Sequence, residues 1–115
     1  MVHIAYAKEA ETFIPDKHFG CSASIYFRKG QPSMNVSVAR SDFREGGRAD
    51  WHKHSESDQA YYVLRGKVRV WVDGEDTYAD LGVGDMVLFP MGSMHKLLNI
   101  GNEQLSVLAI NCPAL

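Results

Sequence analysis

The chain has 115 residues, 45% of them hydrophobic and 23% charged, with a formal net charge of -2 and two cysteines. That length fits one compact domain, so residues 1–115 are expected to form a single unit. The small charge imbalance excludes a basic field for nucleic acid or an anionic membrane surface, and no apolar run is long enough to cross a bilayer.

The opening "MVHIAYAKEAETF" has no basic segment followed by an apolar core, so no secretory leader is expected and cytoplasm is the default compartment. Residues 1–20 read as an N-terminal arm, with "AKEAETF" the one weak helical candidate; His3 and His18 find no sequence partners and read as surface residues. "SASIYFRKG" reads as a strand ending at a turn. "SMNVSVARSDF" reads as a second strand, after which "REGG" is expected to turn the chain. "QAYYVLRG" and "KVRVWVDG" form a pair broken at Gly66, and Asp73-Gly74 predicts a two-residue hairpin inside "VWVDGEDTYADL". "DMVLFP", "HKLLNI" and "LSVLAINCP" complete the set. Many short strands divided by glycine, proline and aspartate predict an all-β sandwich or barrel. Cys21 and Cys112 are far apart in sequence and read as buried free thiols rather than a disulfide framework.

The chemistry-bearing stretch is "GRADWHKHSESDQAYYVLRG". Side chains alternate along a strand, so His52 and His54 point the same way, with Lys53 opposite. Two imidazoles converging on one point suit a transition metal. Gln59 lies at an odd offset from His54, so "SESD" must form a loop or bulge for it to join them. Beyond it, Tyr61 and Val63 share the Gln59 face. A second stretch, "GDMVLFPMGSMHKLLN", brings a strand to Pro90, turns through Gly92 and opens the next strand at His95, which supplies a third histidine.

These two stretches resemble the paired motifs of the cupin superfamily. The first family pattern, G(x)5HxH(x)3-4E(x)6G, is matched by Gly46, His52, His54, Gln59 and Gly66, with glutamine in the glutamate slot. The second, G(x)5PxG(x)2H(x)3N, is matched by Gly84, Pro90, Gly92, His95 and Asn99. Motif 1 (46–66) and motif 2 (84–99) with their spacer cover about half the chain. The resemblance implies a double-stranded β-helix barrel, jelly-roll-like, holding one divalent metal, and a homodimer. It makes His52, His54, Gln59 and His95 the expected metal ligands. Asp58, at the shorter spacing, and Glu56 remain alternatives to Gln59. Manganese, iron, nickel and zinc all suit a histidine-rich site. The competing expectation is a barrel that kept the scaffold and lost the metal.

Glutamine changes the chemistry. It binds through a neutral carbonyl oxygen, so three imidazoles and one amide leave the ion's full charge uncancelled. Such a site is a stronger Lewis acid than one with glutamate and disfavours oxidation of the ion. The expectation is a metal-dependent enzyme acting on a small hydroxy, keto, enol or sugar-acid substrate by lyase, isomerase or ketonisation chemistry. The site resembles that of pectin-degradation cupins that ketonise unsaturated uronates. A non-haem iron dioxygenase and a non-catalytic small-molecule binding module are the alternatives. Tyr61 is the expected proton donor or acceptor, against a plain space-filling role, and Arg40 the expected contact to a substrate carboxylate, against a solvated strand end. Asn99 is expected to hydrogen-bond at a strand end. Met86, Met91 and Met94 read as core or pocket lining, and Trp51 and Trp71 as packing residues.

Overall fold

The computed structural model describes all 115 residues. It contains a short 3-10 turn at Ala7–Glu9 and nine strands: β1 (Glu11–Phe13), β2 (His18–Phe27), β3 (Ser37–His52), β4 (Asp58–Arg65), β5 (Val68–Val72), β6 (Tyr78–Leu81), β7 (Met86–Phe89), β8 (His95–Asn99) and β9 (Leu105–Cys112). All pair antiparallel in one sheet of order β6-β5-β8-β3-β9-β4-β7, with β2 added to β3 and β1 to β2. The sheet curls into a nearly closed, all-β barrel, as the strand pattern predicts.

The "REGG" stretch does not turn the chain. β3 runs through it without a break and changes partner instead. Ser37 to Phe43 pair with β9, whereas Arg48 to His52 pair with β8. Gly46, at φ 74, supplies the left-handed residue that bends the strand between the two. A Cβ on Gly47 would lie 2.7 Å from the Gly20 carbonyl oxygen of β2, so the close approach also needs glycine. The turn signal was real, but pairing on both sides converts it into a barrel corner. The Asp73-Gly74 hairpin is also longer than expected: Trp71 pairs with Tyr78, and the Val72 N–H donates to the Thr77 carbonyl, leaving a four-residue loop. The "AKEAETF" segment forms the 3-10 turn and then β1 rather than a helix.

The interior changes character along each central strand. At one end Phe43 of β3, Val63 of β4, and Leu105 and Val107 of β9 pack with Val68, Val70, Phe89 and Leu97 into a core sealed from solvent. Each such side chain contributes about 1.5–3 kcal/mol by leaving water. At the other end the same strands carry small or polar residues: Ser37, Ala39 and Ser41 on β3, Ala109 and Asn111 on β9, and Ala23 on β2. These side chains cannot fill the barrel, and a cavity of about 270 Å³ is left. Both cysteines are free, but only Cys21 is buried, where loss of solvent pushes its thiol up to about 12; Cys112, at the last residue of β9, is exposed.

Candidate metal centre

Three stretches bring the histidines together, with His52 and His54 lining the cavity and His95 beside them. β3 ends at His52, His54 follows in the loop, and β8 begins at His95, directly opposite His52 in the β3–β8 register. The loops are tied together: the Gly92 N–H donates to the His54 carbonyl at 2.9 Å, and Asp73 brackets Met94, accepting from its N–H and donating to its carbonyl. Ring centroids lie 4.3 Å apart for His52 and His95, 5.3 Å for His52 and His54, and 5.6 Å for His54 and His95. One ligand nitrogen from each lies within 4.8 Å of the others, so the three could hold a single ion.

Backbone carbonyls set the tautomers. His52 Nδ1 lies 2.7 Å from the Asp50 oxygen, and His95 Nδ1 lies 3.1 Å from the Ser93 oxygen. A carbonyl only accepts, so each Nδ1 carries the proton and each Nε2 keeps its lone pair. His95 is further fixed by Phe89, whose ring stacks on it at 4.0 Å with a 5° interplanar angle. Burial lowers the pKa of His52, His54 and His95, the last to about 4, with the neighbouring histidines adding to the effect on His54 and His95. Neutral imidazoles are the form a metal requires.

Gln59 joins them from β4. Its Nε2 donates to Asn111 Oδ1 at 2.8 Å, while its Oε1 is buried without a hydrogen-bond partner. The Nε2 atoms of His54 and His95 are orphaned in the same way. Buried acceptors without donors are costly in a native protein. His54 and Gln59 line the cavity and His95 stands beside them in the three-histidine cluster, and a set of imidazole nitrogens with one amide oxygen suits a divalent transition ion. Asp58 is placed elsewhere: its carboxylate accepts the Met91 N–H at 2.8 Å. Glu56 is exposed in the loop.

Tyr61 lines the cavity beyond Gln59, its ring edge-on to Phe89 at 5.4 Å, and burial raises the pKa of its hydroxyl. Arg40 does not reach the cavity. It alternates with the cavity-lining Ala39 and Ser41, so its side chain leaves the other face of β3, where Nε donates to Asp42 at 3.0 Å. Asn99 does hydrogen-bond at its strand end, donating to the Arg44 and Glu103 carbonyls and accepting the Gly101 N–H. Met86, Met91 and Met94 are exposed rather than lining core or pocket. Trp51 and Trp71 pack on the outside around Lys96.

Two residues in the site carried no motif signal. His18 is not a surface residue. It opens β2 next to the end of β3, lines the cavity, stacks on Phe43 at 5.9 Å and stands 5.4 Å from His52. Its Nδ1 bonds the Asp16 carbonyl at 2.8 Å, and burial lowers its pKa. Asn111, on β9, is the partner of Gln59. Neither is visible in spacing, because each depends on which strands pair.

Comparison with known proteins shows the family and the fold. The family model described as Cupin domain matches residues 39–111. The chain is 32% identical over 80 residues to the Methanocaldococcus jannaschii protein MJ1618, covering 70% of this chain and 62% of that one. It is 33% identical over 98 residues to a germin-like protein of Mesembryanthemum crystallinum, covering 76% of this chain and 42% of the relative. The chain thus spans less than two thirds of the length of either relative. Among solved structures, KdgF from Halomonas sp. superposes with a TM-score of 0.83 at 20% identity, covering 100% of this chain and 96% of that one.

Proposed function

This chain belongs to the cupin family, and from that premise we propose that it is a metalloenzyme. It would use a divalent ion as a Lewis acid on a small oxygenated substrate, in lyase, isomerase or ketonisation chemistry. The observation that carries the reading is the set of buried polar atoms without partners on His54, His95 and Gln59, neutral groups at or beside one cavity and its three-histidine cluster. The bound ion supplies polarisation of a substrate carbonyl or enol oxygen without its charge being cancelled by a protein carboxylate.

The chain's own residues do the rest. His52, His54, His95 and the Gln59 carbonyl would hold the ion. Tyr61, kept protonated by burial, presents an O–H to a substrate oxygen in the cavity. Phe13, Ile25, Phe27, Val38 and Leu115 give the cavity an apolar wall. A volume of about 270 Å³ admits a small molecule. The apolar wall favours a keto or enol compound with a hydrocarbon body over a sugar acid, whose hydroxyls would find few partners there.

The test is exposure of the metal-loaded protein to a panel of small β-dicarbonyl and enol compounds in D2O. Deuterium entering at the carbon beside the carbonyl, without oxygen uptake and absent in His52→Ala, is the expected result. Stoichiometric oxygen consumption with iron bound would replace this reading with a dioxygenase. Unchanged binding of the compounds would replace it with a binding module.

A further inference from the structure

We propose that Asn111 is the positioning residue that makes glutamine usable as a metal ligand at position 59, by fixing which end of the Gln59 amide faces the histidines. The inference rests on the metal-binding reading above. A glutamate in this slot has two equivalent oxygens, so either rotamer of its carboxylate presents an oxygen to the ion. An amide has unlike ends. Rotation by about 180° about its last torsion, which is soft and roughly two-fold, would aim an NH2 at the ion in place of the carbonyl.

In the structure a row of polar side chains across three neighbouring strands holds the amide with its NH2 turned to Asn111 and its carbonyl left over for the histidines. Gln59 of β4 is paired in register with Asn111 of β9, and Asn111 with Ser37 of β3. Gln59 Nε2 donates to Asn111 Oδ1 at 2.8 Å, and Asn111 Nδ2 donates to Ser37 Oγ at 3.2 Å. The Ser37 Oγ also accepts the Leu115 N–H at 2.9 Å. All three side chains are buried, at 5% exposure for Gln59, 7% for Asn111 and 5% for Ser37, so water does not offer the Gln59 NH2 an alternative acceptor. The result is a Gln59 carbonyl left without a hydrogen-bond partner, as are the Nε2 atoms of His54 and His95, with Gln59 and His54 lining the same cavity.

The same row is compatible with a carboxylate at position 59. With Asn111 turned over, its Nδ2 would donate to the carboxylate, and the Ser37 hydroxyl would donate to Asn111 Oδ1 while still accepting from Leu115. Asn111 is therefore needed for glutamine and dispensable for glutamate, which sets the experiment.

Cobalt(II) is titrated into wild type, Asn111→Leu, Gln59→Glu and the double variant, reading affinity by calorimetry and the ligand set by the visible absorption of the ion. Asn111→Leu is expected to weaken cobalt binding by about 10-fold or more in the Gln59 protein, the usual effect of removing a group that orients a ligand. In the Gln59→Glu protein the same change is expected to cost less than about 3-fold, the difference being the coupling between the two sites. Asn111→Asp, which keeps an acceptor for the Gln59 NH2, is expected to bind at least as tightly as wild type. Asn111→Ala runs the same cycle should leucine prevent folding, as judged by near-ultraviolet circular dichroism. Equal losses in both backgrounds, or no loss in either, overturn the proposal while leaving the metal site intact. A wild-type protein that takes up no cobalt overturns the metal-binding reading, and this inference with it.

Discussion

His18 and His52 stand 5.4 Å apart, ring centroid to ring centroid, although one opens β2 and the other closes β3. The antiparallel pairing of these strands, which sets His18 opposite Ala49, brings a fourth histidine to the cavity without making it a member of the three-histidine cluster. His18→Phe keeps a ring on Phe43 and is expected to leave metal affinity within about 3-fold of wild type, whereas His52→Ala is expected to lose about 100-fold or more. Calorimetric titration with nickel or cobalt separates the two. Equal losses would make His18 a ligand.

The buried histidines predict a pH dependence for the metal-free protein. His95 is held at about 4 in the folded state against 6.5 unfolded, and His18, His52 and His54 are lowered in the same direction. The unfolded chain therefore takes up protons first as pH falls, and stability is lost between about pH 6.5 and 4. Glu75 and Asp80, held low by hydrogen bonds from Lys96 and Arg69, add to this only below the ordinary carboxylate range. Melting temperature measured in chelator is expected to be flat from pH 8 to 7 and to fall steadily below about 6.5. A melting temperature that stays level down to pH 5 would contradict it.

Arg40→Met tests the placement of Arg40 on the outer face of β3. The ion pair with Asp42 is part-exposed, so its loss is expected to cost at most about 1 kcal/mol. Metal affinity and any turnover are expected to match wild type. A selective loss of substrate binding, with stability unchanged, would restore Arg40 to the site.

Gly66→Ala tests the turn between β4 and β5. Gly66 sits at φ 85, and a Cβ there would lie 2.7 Å from the Gln104 carbonyl oxygen. Backbone strain and the clash together are expected to destabilise the fold by about 2–4 kcal/mol, read by urea denaturation. A change below about 0.5 kcal/mol would show that the turn relaxes.

A sandwich or barrel was legible from period-two alternation and turn residues, and the shared direction of His52 and His54 from their spacing; the meeting of both with His95 was implied by the resemblance of two spaced motifs to the cupin superfamily. Gln59 was legible as a residue on the Tyr61 face. What the sequence hid depends on pairing between distant strands. The corner at Gly46 looks like a turn until β9 and β8 are seen on either side of it. His18 looks solvated until β2 lies on β3. Arg40 and Met86 carry the right chemistry at the wrong phase, since side-chain alternation relative to the barrel interior is set by register, which no window of residues contains. Asn111 has no meaning for the site until β9 is placed beside β4.

The central claim is most directly tested by the metal content of protein purified without chelator, measured by elemental mass spectrometry beside His52→Ala and His95→Ala. About one equivalent of a divalent transition metal per chain in wild type, and none in either variant, is the result expected of a site with this donor set. A wild-type protein that carries no metal, and whose melting temperature does not rise with added manganese, iron, nickel or zinc, would contradict it.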